Sequence, residues 1–469
     1  MQSSVQIDQL LSAWDYAVIS VVMLLTIVAV VVGHQLRPVA SKLENEQELS
    51  ILDHLIMGRQ LTLPLFVATL VATWYGGIFG VTRIAFEKGI FNFITQGVFW
   101  YVAYIIFALF LVNRITPYQA VTLPDLINKM FGPKSAKLSA LFNFFNVLPI
   151  VYTISIGLLL QMLFHGPLWL MMAIGVGIVI IYSLFGGFRA VVFSDLVQFF
   201  VMCSGVLLVA LLSYLRWGGE DFLVANLPAS HFTLTGGEGI ATTLVWGFIA
   251  LSTLVDPNFY QRVFAAKSPQ VAKRGILIST LIWVVFDICT TAGAMYARAV
   301  IPDATSEHAY LIYSVQLLPH GLRGFFIAGI IATILSTLDS YLFLAGATIS
   351  YDLTPKRFRN HLVIQQTGIV LVGILSVVVA LLFDGNIRVV WKTLGSYSAA
   401  CLLLPVVLGQ LLPNRISDRQ FFMSSILGVV VTTYWYWAPR VGFWKSVDEI
   451  YVGALATLVG LLIFSKLSD

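Results

Sequence analysis

Charged residues are scarce in this chain. Asp, Glu, Lys and Arg make up 11% of its 469 residues, against about 25% in an average soluble domain. Hydrophobic residues make up 58%, the mean hydropathy is +0.89, and no polar stretch is long enough to fold separately. These values exclude a string of soluble domains and indicate one polytopic membrane domain over residues 1–469.

Cysteine and metal-ligating clusters are also lacking. Cys203, Cys289 and Cys401 lie far apart inside apolar runs, so they predict neither a disulfide framework nor a metal site. The seven histidines form no ligand spacing, and no nucleophile-elbow motif occurs, so we expect no enzyme, no catalytic residues and no cofactor. The net charge of +4 arises from short segments between apolar runs, which does not indicate nucleic-acid binding. We infer no obligate protein partner.

Apolar runs long enough to span a bilayer recur from end to end, since a span needs about 20 residues. The predicted spans are 13–33, 62–84, 90–112, 137–163, 167–185, 187–213, 240–261, 275–299, 322–350, 361–383, 389–411, 420–438 and 448–465. The first twelve residues contain no Lys or Arg, so we interpret the first run as a retained helix and not as a signal peptide.

The basic residues predict the orientation of these spans. The first of them, Arg37, follows the first run, and about two thirds of the 27 basic residues fall on the same side as Arg37. Positive charge is enriched on the cytoplasmic side of membrane proteins, so we expect Arg189 and Arg262, near the ends of predicted spans, to lie at the cytoplasmic edge. We therefore expect a multi-pass protein of the plasma (inner) membrane, with the amino terminus outside and the carboxyl terminus in the cytoplasm.

Two runs contain residues that interrupt helices. The second has Gly76, Gly77 and Gly80, which make an unwound stretch inexpensive, and the seventh has Pro257, which lacks a backbone N–H. Gly and Pro also serve as kinks or close-packing points in membrane helices, so either interruption alone is ambiguous.

The positions of the two interruptions match, because five runs separate them. This spacing is expected for a five-plus-five inverted repeat, in which broken helices near the membrane midplane expose carbonyls and helix ends to ions and substrate. The sequence therefore predicts one repeat over 62–213 and another over 240–411, preceded by the extra helix at 13–33 and followed by two helices over 420–465.

Polar side chains lie deep within several runs. Asp195, Asp256, Asp287 and Asp339 would each cost about 2.5–3.5 kcal/mol at a helix centre, so we expect them to be partnered or neutral. Four hydroxyls at i, i+3, i+4 and i+7 share one face of the ninth run: Thr333, Ser336, Thr337 and Ser340. Such hydroxyls usually bond to their own helix or a neighbour. A stripe of them beside Asp339 also suits a small hard cation, which prefers oxygen ligands.

Four motifs occur in an order and at a spacing that resemble one transporter family. They are Phe185-Gly186-Gly187-Phe188-Arg189-Ala190-Val191-Val192-Phe193-Ser194-Asp195-Leu196-Val197-Gln198, Met57-Gly58-Arg59, Gln261-Arg262-Val263-Phe264-Ala265-Ala266-Lys267 and Ser336-Thr337-Leu338-Asp339-Ser340. The chain closely resembles the sodium:solute symporter family over about residues 55–410. The resemblance implies an all-α polytopic membrane fold of the leucine-transporter type, with Na+ as the coupling ion. One departure is Val81-Thr82-Arg83, where the family commonly has a Gly-rich continuation.

The resemblance also implies cation sites. The shared sodium site would consist of the carbonyls of Ala72, Tyr75 and Thr333 and the hydroxyls of Ser336 and Thr337. A possible second cation site would consist of Asp195, Asp339 and Ser340. The resemblance does not decide whether this site holds a second sodium, holds a proton or forms only a hydrogen bond.

A small organic solute is expected between the broken helices and the third span. The candidate residues for binding it are Trp74, Gly76, Gly77, Gln96, Asp256 and Asn258. Asp256 has a structural alternative, because Asp before Pro is a good helix N-cap. Gln96 has one too, since a lone polar residue could simply bridge two helices.

These expectations combine into a function. We predict a sodium-coupled secondary active symporter that imports a small organic solute by alternating access. The alternatives are a proton-coupled transporter of the same fold that uses Asp195 and Asp339, or a channel. The sequence does not choose among amino acids, sugars, sugar acids, carboxylates and vitamins.

Overall fold

The computed structural model describes residues 7–36, 52–358, 362–442, 444 and 447–466. Both chain termini, whose sides of the membrane the sequence predicts, lie outside the described residues. So do Arg37, Lys42, Arg359 and Lys445, four of the basic residues used for that prediction. Within the described part the regular structure is helical, with one isolated parallel bridge between Leu61 and Ala266.

Long helices, numbered here in chain order, make up most of the molecule. They are α1 (Ala13–Gln35), α2a (Leu63–Ala72), α2b (Ile78–Lys88), α3 (Phe93–Tyr118), α4 (Pro133–Phe164, interrupted at 147–149), α5 (Leu168–Leu184), α6 (Gly187–Trp217), α7a (Ile240–Ala250), α7b (Pro257–Ala265), α8 (Pro269–Val300), α9 (Leu322–Leu353), α10 (Leu362–Leu382), α11 (Ile387–Leu411), α12 (Asp418–Trp437) and α13 (Glu449–Ile463). Shorter helices lie between them at Ile7–Leu10, Leu123–Met130, Glu220–Asn226 and Ala309–Leu317. By length and composition, nine helical segments of the described chain could cross a membrane.

The distribution of apolar surface is that of a membrane protein. Helix α1 has a mean hydropathy of 2.7 in its most apolar window, yet only 17% of that window is buried, and Leu24 is 59% exposed. Helix α9 is apolar as well, but 94% of its window is buried. A helix that is apolar all round belongs in a core or in lipid. Helix α9 therefore forms the centre of the bundle, against α1, α10 and the α5–α6 segment, and α1 faces outward.

Both predicted interruptions are present. The backbone leaves the α-helix over residues 73–77 between α2a and α2b, whereas Leu251–Val255 forms a 3-10 turn between α7a and α7b. Pro257 is the first residue of α7b, where its missing N–H has no cost. A third break separates α5 from α6, at Gly187 with φ of 63°, a conformation that favours glycine.

The glycines in and beside the α2 break act as close-packing points, one of the two roles that the sequence left open. Gly76, Gly77 and Gly80 do not adopt positive φ; they provide room for neighbours. A Cβ on Gly77 would lie 2.2 Å from the Trp391 ring, and a Cβ on Gly76 would lie 2.6 Å from the Thr337 Cβ. Close packing of α9 and α11 against the break requires these glycines.

The two broken helices are joined to each other at one end. The Leu61 N–H donates to the Ala265 carbonyl (2.9 Å), and the Lys267 N–H donates to the Leu61 carbonyl (3.0 Å). The Arg59 guanidinium adds a bond to the Phe264 carbonyl (3.0 Å). These contacts couple the start of α2a to the end of α7b.

Candidate cation and solute sites

Oxygen atoms from α2a and α9 converge where the α2 break faces α9. The Ser336 hydroxyl donates to the Ala72 carbonyl (2.7 Å), and the Thr337 hydroxyl accepts from the Gly76 N–H (3.0 Å). Both hydroxyls also donate to the Thr333 carbonyl, at 3.2 and 3.0 Å. Ala72, Thr333, Ser336 and Thr337 are completely buried. The structure thus brings four of the five predicted sodium ligands into one hydrogen-bonded group.

The fifth predicted ligand lies in the same break. Tyr75 directly precedes Gly76, and its ring packs against Phe286 with centroids 4.2 Å apart. Carbonyl and hydroxyl oxygens are the donor set for a hard cation. Because the hydroxyls now bond to carbonyls, an ion bound among these oxygens would replace those bonds and hold α2 against α9.

A second polar cluster contains the residues of the possible second cation site. The Asp195 carboxylate on α6 accepts from the Thr69 hydroxyl (2.5 Å), and the Asp339 carboxylate on α9 accepts from the Tyr182 hydroxyl (3.2 Å). Each carboxylate has one buried oxygen without a hydrogen-bond partner among the described residues. The predicted residues Asp195, Asp339 and Ser340 are all buried.

Arg262 occupies the middle of this cluster, and sequence reasoning put it in the wrong place. It was expected at the cytoplasmic edge, but α7b continues past it and its side chain is completely buried. Its guanidinium donates to the hydroxyls of Thr73 (2.6 Å) and Ser340 (3.1 Å) and lies 3.8 Å from the Asp195 carboxylate. It also donates to the Asn258 side chain. A charge from the protein therefore contacts two of the three predicted second-site residues.

A cavity of about 130 Å³ lies between the two breaks, α3, α4, α9 and α11. Its aromatic wall consists of Trp74, Tyr75, Trp100, Tyr152, Tyr341 and Trp391, and its polar lining consists of Gln96, Asn146, Ser252, Thr253 and Asp256. The Gln96 Nε2 and the Thr253 hydroxyl are buried without a hydrogen-bond partner among the described residues. The cavity thus offers unsatisfied polar groups to a bound molecule.

The predicted solute residues divide between two places. Trp74, Gly77, Gln96 and Asp256 line the cavity. Gly76 instead donates to Thr337, and Asn258 accepts from Arg262. The structural alternative for Asp256 is also realised, because its Oδ1 accepts from the Asn258 N–H (2.8 Å) and caps α7b. Its Oδ2 lies 3.4 Å from the Tyr341 hydroxyl.

Comparison with known proteins identifies the family. Residues 54–428 match the sequence model of the "Sodium:solute symporter family". The chain belongs to that family. A high-affinity proline transporter of Bacillus subtilis is 24% identical over 383 residues, which cover 75% of this chain and 77% of that protein. A sodium/pantothenate symporter of Escherichia coli is 27% identical over 299 residues, 60% of this chain and 61% of that protein.

The fold of this family member matches solved transporters. A Na+-coupled sialic acid symporter, determined in a substrate-bound outward-open state, superimposes with a TM-score of 0.79 over 98% of both chains at 15% identity. The predicted family and the all-α membrane fold of leucine-transporter type are confirmed. The expectation of a transporter and not an enzyme is confirmed as well.

Sequence reasoning missed several side chains at these sites. They are Thr69, Thr73 and Tyr182 beside the buried acids, and Trp100, Asn146, Tyr152, Tyr341 and Trp391 around the cavity. Asn146 had a usable signal, since it directly precedes the interruption of α4 near Pro149. The others had no signal of their own, because their neighbours come from distant parts of the chain.

Proposed function

We propose that this family member couples the entry of one sodium ion to the import of a small organic solute, by alternating access in the plasma (inner) membrane. The observation that carries the proposal is the buried oxygen cluster formed by Ala72, Thr333, Ser336 and Thr337 directly beside the cavity. Sodium coupling in the pantothenate symporter and in the sialic acid symporter supports it. We also propose the repeat boundaries 62–213 and 240–411, an external amino terminus and a cytoplasmic carboxyl terminus.

The two sites are linked through the α2 break. Ala72 and Gly76 contact the hydroxyls of α9, while Trp74, Tyr75 and Gly77 line the cavity. An ion bound to the first group orders the backbone that carries the second. Sodium binding would thereby complete the solute cavity, and release of sodium on the other side would loosen it.

The position of Arg262 supports a single coupled sodium. Its guanidinium already bonds Ser340 and lies beside Asp195, which are residues that a second sodium would need. One sodium supplies about 2.3 kcal/mol per 100 mV of membrane potential and about 1.4 kcal/mol per tenfold gradient. Together these give about 3.7 kcal/mol, enough for a several-hundred-fold accumulation of a neutral solute.

Thermal unfolding of the purified full chain tests the sodium site. Sodium is titrated against potassium at constant ionic strength, because a ligand that binds only the native state must raise its stability. The test variant combines Ser336→Ala with Thr337→Val. We expect a sodium-specific rise in the wild type that follows a one-site isotherm, and loss of that rise in the variant.

An adjacent pair of hydroxyls elsewhere provides the matched control. Thr432 and Thr433 on α12 donate back to their own helix at 2.8 Å each, so Thr432→Val with Thr433→Val removes two hydroxyls away from the site. This variant should keep the sodium response. Equal loss in both variants would show a general packing effect, and a two-site isotherm in the wild type would contradict the single sodium.

A proton-coupled transporter is the second candidate function. The observation in its favour is that one guanidinium, that of Arg262, faces two buried carboxylates, Asp195 and Asp339. One of the two carboxylates therefore has no counter-charge of its own, and such a buried acid is suited to take up and release a proton. A pH-dependent stabilisation without a sodium response, abolished by Asp339→Asn, would establish this alternative. Conduction that persists without sodium would instead indicate a channel.

A further inference from the structure

We infer that the cavity binds a solute with a positively charged nitrogen, which the Asp256 carboxylate holds within the aromatic wall. This inference rests on the proposed function, because it names the chemical class of the solute that the same cavity carries. Cationic amines and zwitterions share this chemistry. Neutral polyols and simple anions do not.

The charge of the lining favours a cation. Among the described residues around the cavity, Asp256 is the one charged side chain. Arg262, six residues further along the chain, directs its hydrogen bonds to Asn258, Thr73, Ser340 and Thr69. Asp256 therefore contributes a negative charge to the cavity, and no lining side chain supplies a positive one.

The two carboxylate oxygens of Asp256 make different contacts. Oδ1 lies 2.8 Å from the Asn258 N–H and caps α7b, whereas Oδ2 has a long contact of 3.4 Å to the Tyr341 hydroxyl. A positively charged nitrogen on the solute would have its counter-charge at Oδ2, whether or not that nitrogen carries a hydrogen. The capping bond has a second consequence. It already satisfies the N-terminal end of α7b, which would otherwise attract a solute carboxylate.

The aromatic wall fits the same class of solute. Cations are attracted to the faces of Trp and Tyr rings. The Tyr152 and Tyr341 rings lie 4.9 Å apart and tilted by 61°, and Tyr341 is the residue whose hydroxyl approaches Asp256. Trp74 is fixed by edge-to-face packing on Phe259, at 5.4 Å and 84°. These rings line the same cavity as the Asp256 carboxylate.

Two further polar groups of the lining have unused hydrogen-bonding capacity. The Gln96 Nε2 is a donor, and the Thr253 hydroxyl is a donor or an acceptor; both are buried without partners in the described structure. A hydroxyl or carbonyl on the solute would satisfy them. The preferred solute thus combines a cationic nitrogen with one oxygen function.

Binding to the purified full chain tests the inference, read as a thermal shift in saturating sodium. The probes are choline, glycine betaine, 3,3-dimethylbutan-1-ol and pantothenate. The third has the shape of choline with carbon in place of the charged nitrogen. We expect stabilisation by choline, by glycine betaine or by both, and at least about tenfold weaker binding of the uncharged analogue. Choline alone indicates an organic cation, and glycine betaine alone indicates a zwitterion.

The variant Asp256→Asn removes the charge and keeps the helix cap, because Asn caps as well as Asp. Cation binding should weaken by about 10- to 100-fold, while the sodium shift measured without solute stays as in the wild type. Asp303→Asn, at an exposed carboxylate, is the matched control and should change neither response.

Three results would overturn the inference. They are binding of the uncharged analogue or pantothenate as strong as that of the charged probes, no stabilisation by either charged probe, and unchanged cation binding in Asp256→Asn. A failure of the proposed sodium coupling is separate, because it appears as a missing sodium shift in the absence of any solute.

Discussion

The buried contact between Arg262 and Asp195 should be the most strongly coupled charge pair of the described structure. Both side chains are completely buried, with 3.8 Å between the guanidinium and the carboxylate. At that distance the Coulomb attraction is about 4 kcal/mol for an effective dielectric constant of about 20. Removing one partner leaves the other charge buried, so Arg262→Gln should lower the free energy of unfolding by about 3–5 kcal/mol.

A double-mutant cycle isolates this interaction. Asp195→Asn alone also destabilises, because the guanidinium then keeps its bonds to Thr73 and Ser340 but loses its counter-charge. The variant with both substitutions should be more stable than the sum of the single effects predicts, by at least about 2 kcal/mol. Equilibrium unfolding in mixed detergent micelles measures all four proteins.

An exposed ion pair serves as the reference. The Lys88 ammonium and the Glu238 carboxylate lie 3.0 Å apart, with side chains 32% and 28% exposed. Lys88→Gln and Glu238→Gln should therefore couple by less than about 1 kcal/mol, as surface pairs do. Additive effects of the Arg262 and Asp195 substitutions would refute the reasoning, as would a coupling no larger than that of the exposed pair.

Three further substitutions have defined outcomes. Gly76→Ala should weaken sodium binding at least about tenfold, because the added Cβ would lie 2.6 Å from the Thr337 Cβ. A sodium titration of the melting temperature measures this affinity, and an unchanged affinity would contradict that contact. Tyr101→Phe should lower the free energy of unfolding by about 1–3 kcal/mol, because it leaves the buried Asp287 carboxylate without the hydroxyl that donates to it. In an Asp287→Asn background the same substitution should lower the free energy of unfolding by less. Asp15→Ala should lower the free energy of unfolding by about 2 kcal/mol or more, since this carboxylate accepts the backbone N–H bonds of Gly321 and Gly324 at the start of α9, at 2.7 and 2.9 Å. Proteolysis should then reach α1 more readily than in the wild type.

The membrane class, the family and the two broken helices could be predicted from the sequence alone. Low charge and recurrent apolar runs leave few alternatives to a helical membrane fold, because backbone polar groups in lipid must bond within the segment. Pro257 cannot continue a helical hydrogen-bond ladder, and Asp256 before it caps the next segment. The stripe of Thr333, Ser336 and Thr337 could be read from helical periodicity alone. These are local properties, so they can be predicted without knowing which residues lie nearby in the folded chain.

Tertiary structure decided which polar groups meet and what surrounds them. Arg262 looked like a residue of the cytoplasmic edge, and only the packing of α7b against α2a, α6 and α9 shows it buried beside Asp195. The sequence left two roles open for the glycines of α2, and only the packing shows that they admit Trp391 and Thr337, residues more than two hundred positions away. Partners at such distances leave no periodic trace in the sequence. Their contacts depend on how the helices cross, and the charge and shape of the solute cavity depend on the same crossing.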